Sequence, residues 1–230
     1  MKPEAKIKPI EIYKEAWALI KDDYWMILLI VFVGMIVANV VPVIILGPMM
    51  CGILYVLIRR IDGYPLVFED LFEGLKVFLP AFIVGLLLAV PAFILIGLIY
   101  APMIGIMIAG GRMSNDELMA FLGVTLVVEL IFAVFMVCLH TLLMFAFPLI
   151  IDRKVSAMQA IKMSASAVWQ NLSGIAGLYA VGFVVSLAGM MVFCIGIYLV
   201  LPLIVMSTAV AYRKLFPRDE MQRPNYYQGI

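Results

Sequence analysis

Histidine occurs once, at position 140, and cysteine only three times, at 51, 138 and 194. A zinc or di-metal centre needs clustered His, Cys and carboxylate ligands, and a disulfide scaffold needs many cysteines in a short chain, so neither is expected. Charge is equally scarce. Only 13% of the 230 residues are Asp, Glu, Lys or Arg, about half of what soluble domains carry, which excludes a water-soluble globule. The formal net charge of +1 lacks the basic excess of a nucleic-acid binder. No Gly-rich phosphate loop with its lysine is present, and no cofactor motif. The first 24 residues hold ten charges, from Lys2 to Asp23, where a secretory signal needs a short apolar stretch directly after a basic start, so no cleavable signal is expected.

What the chain has is apolar surface. Hydrophobic residues make up 66% of it and the mean hydropathy is +1.14, too apolar for a disordered chain. The remaining class is an all-α polytopic membrane bundle. The apolar material lies in four blocks, 25–58, 79–110, 118–151 and 172–212, and one membrane crossing takes about 20 residues. Ala38-Asn39-Val40-Val41-Pro42 offers a turn in the first block, since the residue before proline is pushed out of helical geometry. This predicts spans near 24–40 and 43–60. Cys194-Ile195-Gly196 divides the last block into spans near 172–191 and 195–213. The two middle blocks read as single long helices, tilted or kinked, giving six spans.

With six spans and both tails on one side, the segments 1–24, 59–78, 152–171 and 213–230 share the cytoplasmic side and hold 15 of the 16 Lys and Arg residues, leaving Arg112 outside. That matches the positive-inside bias and predicts a multi-pass protein of the cell membrane with cytoplasmic termini. Charge counting alone also allows eight spans. The half-length pieces that eight would require favour six.

Three cytoplasmic segments are apolar at helical spacing: Ile10, Tyr13, Trp17 and Ile20; Phe68, Leu71, Phe72, Leu75 and Phe78; Val155, Met158, Ile161, Ala165, Val168 and Trp169. Such helices can lie in the headgroup plane, apolar side down, or form the ends of long spans. Trp17, Tyr24, Trp25 and Trp169 fall where an aromatic belt is expected. One integral domain of three pseudo-repeat units results, about 8–60, 66–151 and 154–213, each a short amphipathic helix followed by a membrane hairpin.

Ile12-Tyr13-Lys14-Glu15-Ala16-Trp17-Ala18-Leu19-Ile20-Lys21, Gly47-Pro48-Met49-Met50-Cys51-Gly52-Ile53, Phe68-Glu69-Asp70-Leu71-Phe72-Glu73-Gly74, the stretch 160–169, Cys194-Ile195-Gly196 and Tyr212-Arg213 resemble segments of a broad group of bacterial and archaeal integral membrane proteins without an assigned activity. They are also similar to the membrane domain attached to some glycerophosphodiester phosphodiesterases. The resemblance implies a six-helix membrane domain. The phosphodiesterase chemistry does not carry over, because these residues hold no counterpart of that catalytic domain.

Small residues recur every four positions at Ala81, Gly85 and Ala89, then at Gly97, Ala101, Gly105 and Ala109, interrupted at Phe93. Small side chains let helices approach closely in lipid, so this stripe is expected to face another helix, of this chain or of a second subunit. Ser173 with Gly177, Ala176 with Ala180, and Gly182 with Ser186 mark a second such surface. Prolines at 42, 48, 80, 91, 102, 148 and 202 lie in or beside the apolar blocks, where each removes a backbone donor and can bend a helix around a cavity.

Glu129 is the only acid well inside an apolar block, and His140 lies eleven residues on. A carboxylate at that depth is costly unless it faces the bundle interior, finds a donor or stays protonated. Both project to nearly one helix face, about 16 Å apart at about 1.5 Å per residue. Two readings follow: a polar track for protons or ions formed with Thr125 and Thr141, or a structural hydrogen bond to a neighbouring helix. The basic pairs Arg59-Arg60, Arg153-Lys154 and Arg213-Lys214 flank the inner ends of spans and are expected to contact anionic lipid headgroups. The functional expectation is a non-enzymatic scaffold or accessory subunit, with membrane lipids and a second copy or another membrane protein as partners. The alternative is a small transporter or channel.

Overall fold

The computed structural model describes residues 7–109, 114–191 and 196–218. Arg112 and the turn residues Cys194 and Ile195 therefore lie outside the described residues. Within them the chain is an all-α bundle. Its helices are α1 (Pro9–Ile20), α2 (Tyr24–Val40), α3 (Pro42–Ile61), a 3₁₀ segment (Phe68–Val77), α4 (Phe78–Ala109), α5 (Asn115–Leu143), α6 (Ala146–Arg153), α7 (Ala157–Gln170), α8 (Leu172–Met190) and α9 (Gly196–Leu215). Five stretches are long and apolar enough to cross a membrane, and a sixth if α1 and α2, bent by 102° at their junction, count as one.

The breaks follow local chemistry. Val41, before Pro42, sits at φ −135°, ψ 78°, outside the helical region, as the proline ring requires of its predecessor. At the other end of α3, Gly63 turns the chain at φ 86°, in the left-handed region open to glycine. Helices α5 and α7 open on complete capping boxes, Ser114 with Glu117 and Ser156 with Gln159, each satisfying amides that the first turn leaves without partners. The first middle block is one continuous helix, α4, whereas the second, expected as a single helix, is broken into α5 and α6. The 32 residues of α4 extend roughly 48 Å at about 1.5 Å per residue, and the 29 of α5 roughly 43 Å.

Helix α5 stops at Leu143 and α6 begins at Ala146. The break is held by Ser164 of α7, whose buried hydroxyl donates to the Leu142 carbonyl at 2.6 Å and accepts from the Phe145 amide at 3.1 Å. One side chain thus satisfies backbone groups from both sides of an interrupted helix, where an unpaired group would be costly.

The core gathers α1, α2, α3, the 3₁₀ segment, the first turns of α4, α6, α7 and the ends of α8 and α9. Its closest contacts are backbone to backbone. A Cβ at Gly52 would run into the Leu71 carbonyl, one at Gly74 into the Pro48 carbonyl, and one at Gly47 into the Ala81 carbonyl. Two of the motif segments quoted above, around Gly52 and around Gly74, therefore interlock. Beyond this core α4 and α5 continue as an apolar arm. None of the most apolar stretch of α5 is buried inside the protein.

The short amphipathic helices pack differently from the expectation. In α1 the buried residues are Ile12, Tyr13, Ala16 and Ile20, while Ile10 and Trp17 face outward. In α7 the small residues Ala157, Ala160, Ser164 and Ala167 point inward, and Met158 and Trp169 point out. In the 3₁₀ segment only Leu71 and Gly74 are buried, and Phe72 and Leu75 are exposed. Each segment has two apolar surfaces. In α7 small residues seat the helix on the protein, while in α1 and the 3₁₀ segment large residues, Ile12, Tyr13, Ile20 and Leu71, are buried as well. Trp17, Tyr24 and Trp25 cluster at the α1–α2 bend, with ring centroids 6.1 and 5.5 Å apart along the series.

Candidate functional site

Ala81, Gly85 and Ala89 are buried, and Gly85 lies against the Gly47 backbone of α3. This half of the small-residue stripe is an intramolecular seam. Beyond Pro91 it rotates out of register. Gly97 and Ala101 are exposed, a Cβ at Gly97 would meet nothing within 4 Å, and only Gly105 meets α5, through Phe121. The expectation of one continuous packing face is corrected to a seam and an open stretch. The Ala109 side chain lies outside the described residues. On α8, Gly177 and Gly182 of the second expected surface, with Gly174 beside them, receive Pro9, Tyr13 and Ile7, so α1 and its lead-in pack there, whereas Ser173, Ala176 and Ala180 are exposed and that part of the expected surface is corrected.

The intramembrane polar residues do not form the expected track. Glu129 is half-buried and, among the described residues, makes no hydrogen bond. Thr125 and Thr141 turn their hydroxyls onto carbonyls of their own helix, Phe121 and Leu122 for the first and Val137 for the second, as threonines in helices commonly do. His140 goes elsewhere. Its Nδ1 lies 3.3 Å from the Tyr179 hydroxyl of α8, and both line a cavity of about 390 Å³ to which Glu129 does not contribute. The reason is reach: three helical turns separate the two residues, and α5 has left the core by the level of Glu129.

Helices α1, α3, α4, α5, α8 and α9 build this cavity, with α6 contributing Phe147. Its walls are mostly aliphatic and methionine side chains. Polar groups enter from His140, Tyr179, Tyr13, Ser186, Ser207 and Thr208. Ser207 and Thr208 donate to the Ile204 carbonyl, which leaves their oxygens as acceptors. Among the described residues no Asp, Glu, Lys or Arg lines it. Tyr179, Gly182 and Ser186 lie three and four residues apart, so the polar edge of α8 was readable as one helix face. Tyr13 and His140 were brought to it by tertiary packing alone.

A second constellation joins the helix ends at the basic pole. Arg213 of α9 forks onto Asp62, Nε to Oδ1 at 2.9 Å and NH2 to Oδ2 at 2.6 Å, and onto Asp152 at 2.7 and 2.9 Å. Tyr212 donates to Asp152 at 2.6 Å, Arg218 reaches Asp62 at 3.1 Å, and Arg153 donates to the Pro217 carbonyl at 2.6 Å. The Arg213 side chain is only 9% exposed, which corrects its expected headgroup contact: it is drawn inward because two carboxylates compensate its desolvation. The neighbouring cations are also engaged within the chain, Arg59 with Asp70 and the Tyr64 ring, Arg60 with Asp23, and Lys214 with Glu15. Lys154 is the left-handed residue closing α6, at φ 52°. Among the described residues no group of three His, Cys, Asp or Glu side chains is placed to hold a metal ion.

The chain matches no protein-family model, no curated protein and no solved structure. Its apolar helices are those of a membrane-embedded protein, and it is from the site geometry that a function has to be read.

Proposed function

We propose that this protein is a non-enzymatic scaffold or accessory subunit of the cell membrane, with both tails on the cytoplasmic side. The observation that carries this reading is the α4–α5 arm, which past Pro91 extends roughly 28 Å beyond the core at about 1.5 Å per residue with its side chains unburied by the rest of the chain, such as Val124 at 65% and Ile131 at 65% exposure. Lipid and the helices of a partner, a second copy or another membrane protein, are the surroundings such an arm fits. In lipid, close packing drives helix association, and Gly97 and Ala101 are open to it. The resemblance to six-helix membrane domains supports the same reading, as does the concentration of Lys and Arg at the proposed inner pole.

A small transporter is the second reading, favoured by the cavity beside His140. Ion and proton flux into vesicles reconstituted with the purified protein separates the two. The scaffold reading predicts flux no greater than in empty vesicles, for the native protein and for Glu129→Gln. Flux above that level in the native protein contradicts it, whether or not Glu129→Gln lowers it.

A further inference from the structure

The cavity beside His140 has features that neither the ion-pair network nor the exposed arm explains. Among the described residues it combines an apolar wall with hydrogen-bonding groups and no formal charge. Its volume of about 390 Å³ falls in the range of small-molecule sites, roughly 300–1,000 Å³. Among the described residues no side-chain nitrogen or oxygen is buried without a partner, so the polar atoms on its wall are either paired or face the open space. Met50 and Met144 supply adaptable walls that fit a flexible chain. Phe183 both lines the cavity and is 65% exposed, so the cavity opens to the surroundings beside it.

We propose that this cavity binds an uncharged amphiphile, a chain of about ten carbons bearing a hydroxyl or carbonyl oxygen. The chain lies against the aliphatic wall formed by Leu54, Leu143 and Leu178, and the oxygen takes the hydrogen bond offered at the His140–Tyr179 pair. A charged head is disfavoured because no counter-charge lines the site to offset its desolvation. Tyr13 closes one wall: its hydroxyl sits 2.6 Å from where a Cβ on Gly182 would stand, so α1 is part of the site.

The test is photolabelling of the purified protein in detergent with dodecan-1-ol carrying a diazirine on its chain, followed by peptide mapping. Expected are labels on residues 140–147, 178–186 and 204–208, displaced by decan-1-ol but not by decane or decylammonium. Ser186→Phe and Leu88→Phe fill the cavity from α8 and from α4, and each is to abolish those labels while thermal unfolding shows it folded. Tyr179→Phe is to weaken decan-1-ol competition about fivefold, the effect of losing one hydrogen bond. Labels confined to the outward faces of α4 and α5, and unchanged in the filled variants, overturn the site. Equal displacement by decane and decan-1-ol, with no effect of Tyr179→Phe, overturns the assigned head group.

Discussion

Arg213 and Asp62, 151 residues apart in the chain, meet through two parallel hydrogen bonds of 2.9 and 2.6 Å. The pair ties the end of α9 to the end of α3, and Asp152 on the other side of the guanidinium adds the end of α6. Three helix termini are thus fastened by one planar cation, which a lysine cannot reproduce because it lacks the fork geometry.

Replacing Arg213 by Ala leaves Asp62 and Asp152, 12% and 17% exposed, without their principal partner. A loss of about 3–5 kcal/mol is expected, seen as a lower midpoint in thermal unfolding in detergent, with Arg213→Lys recovering only part of it. Lys214→Ala removes the Glu15 contact between side chains 33% and 45% exposed, and is to change the midpoint little, by less than about 1 kcal/mol.

Two glycines give opposite outcomes for the same substitution. Gly52→Ala forces a methyl into the Leu71 carbonyl and is expected to cost about 1–3 kcal/mol or more. Gly97→Ala meets nothing within 4 Å, so helix propensity governs and a gain of up to about 1 kcal/mol is expected. Unfolding midpoints of the two variants, measured side by side, check the assigned contacts.

Ser164→Ala removes the hydroxyl that bonds Leu142 and Phe145 across the α5–α6 break. Leaving those buried backbone groups without a partner is expected to cost about 1–3 kcal/mol. Hydrogen exchange is to show the loss locally, as faster exchange at the Phe145 amide.

At the N-terminus of α5, Ser114→Ala breaks the capping box with Glu117 at a cost of about 1 kcal/mol. Because that turn lies at the exposed tip of the arm, the effect is expected as faster exchange of the first-turn amides, with the global unfolding midpoint nearly unchanged.

Much of the fold was legible. Val41 before Pro42, Gly196 at the start of α9, and the length of the first middle block mark features set by backbone chemistry and by apolar run length, both local properties, whereas the break of the second block between Leu143 and Ala146 depends on Ser164 of α7. Which face a short helix buries was not legible in the same way. Ile10, Tyr13, Trp17 and Ile20 share the helical spacing of a core face, yet only Tyr13 and Ile20 of these are buried, joined by Ile12 and Ala16, because the way α1 lies on α9 rotates the buried face away from Ile10 and Trp17. The site was read in part. His140 was singled out for sharing a helix face with Glu129, but its partner is Tyr179 of α8, and that pairing depends on how α8 lies across α5. Likewise Arg213 reads as a basic residue at a span's end, and only the return of Asp62 and Asp152 to the same point makes it an interior residue.

The central claim is that the α4–α5 arm is solvated by lipid. Spin labels at positions 126, 131 and 137, native Leu126, Ile131 and Val137, all at least 65% exposed, test it in reconstituted vesicles through relaxation by oxygen and by a water-soluble nickel chelate. The account predicts high oxygen accessibility and low nickel accessibility at all three. High nickel accessibility at these positions, the signature of water, contradicts it.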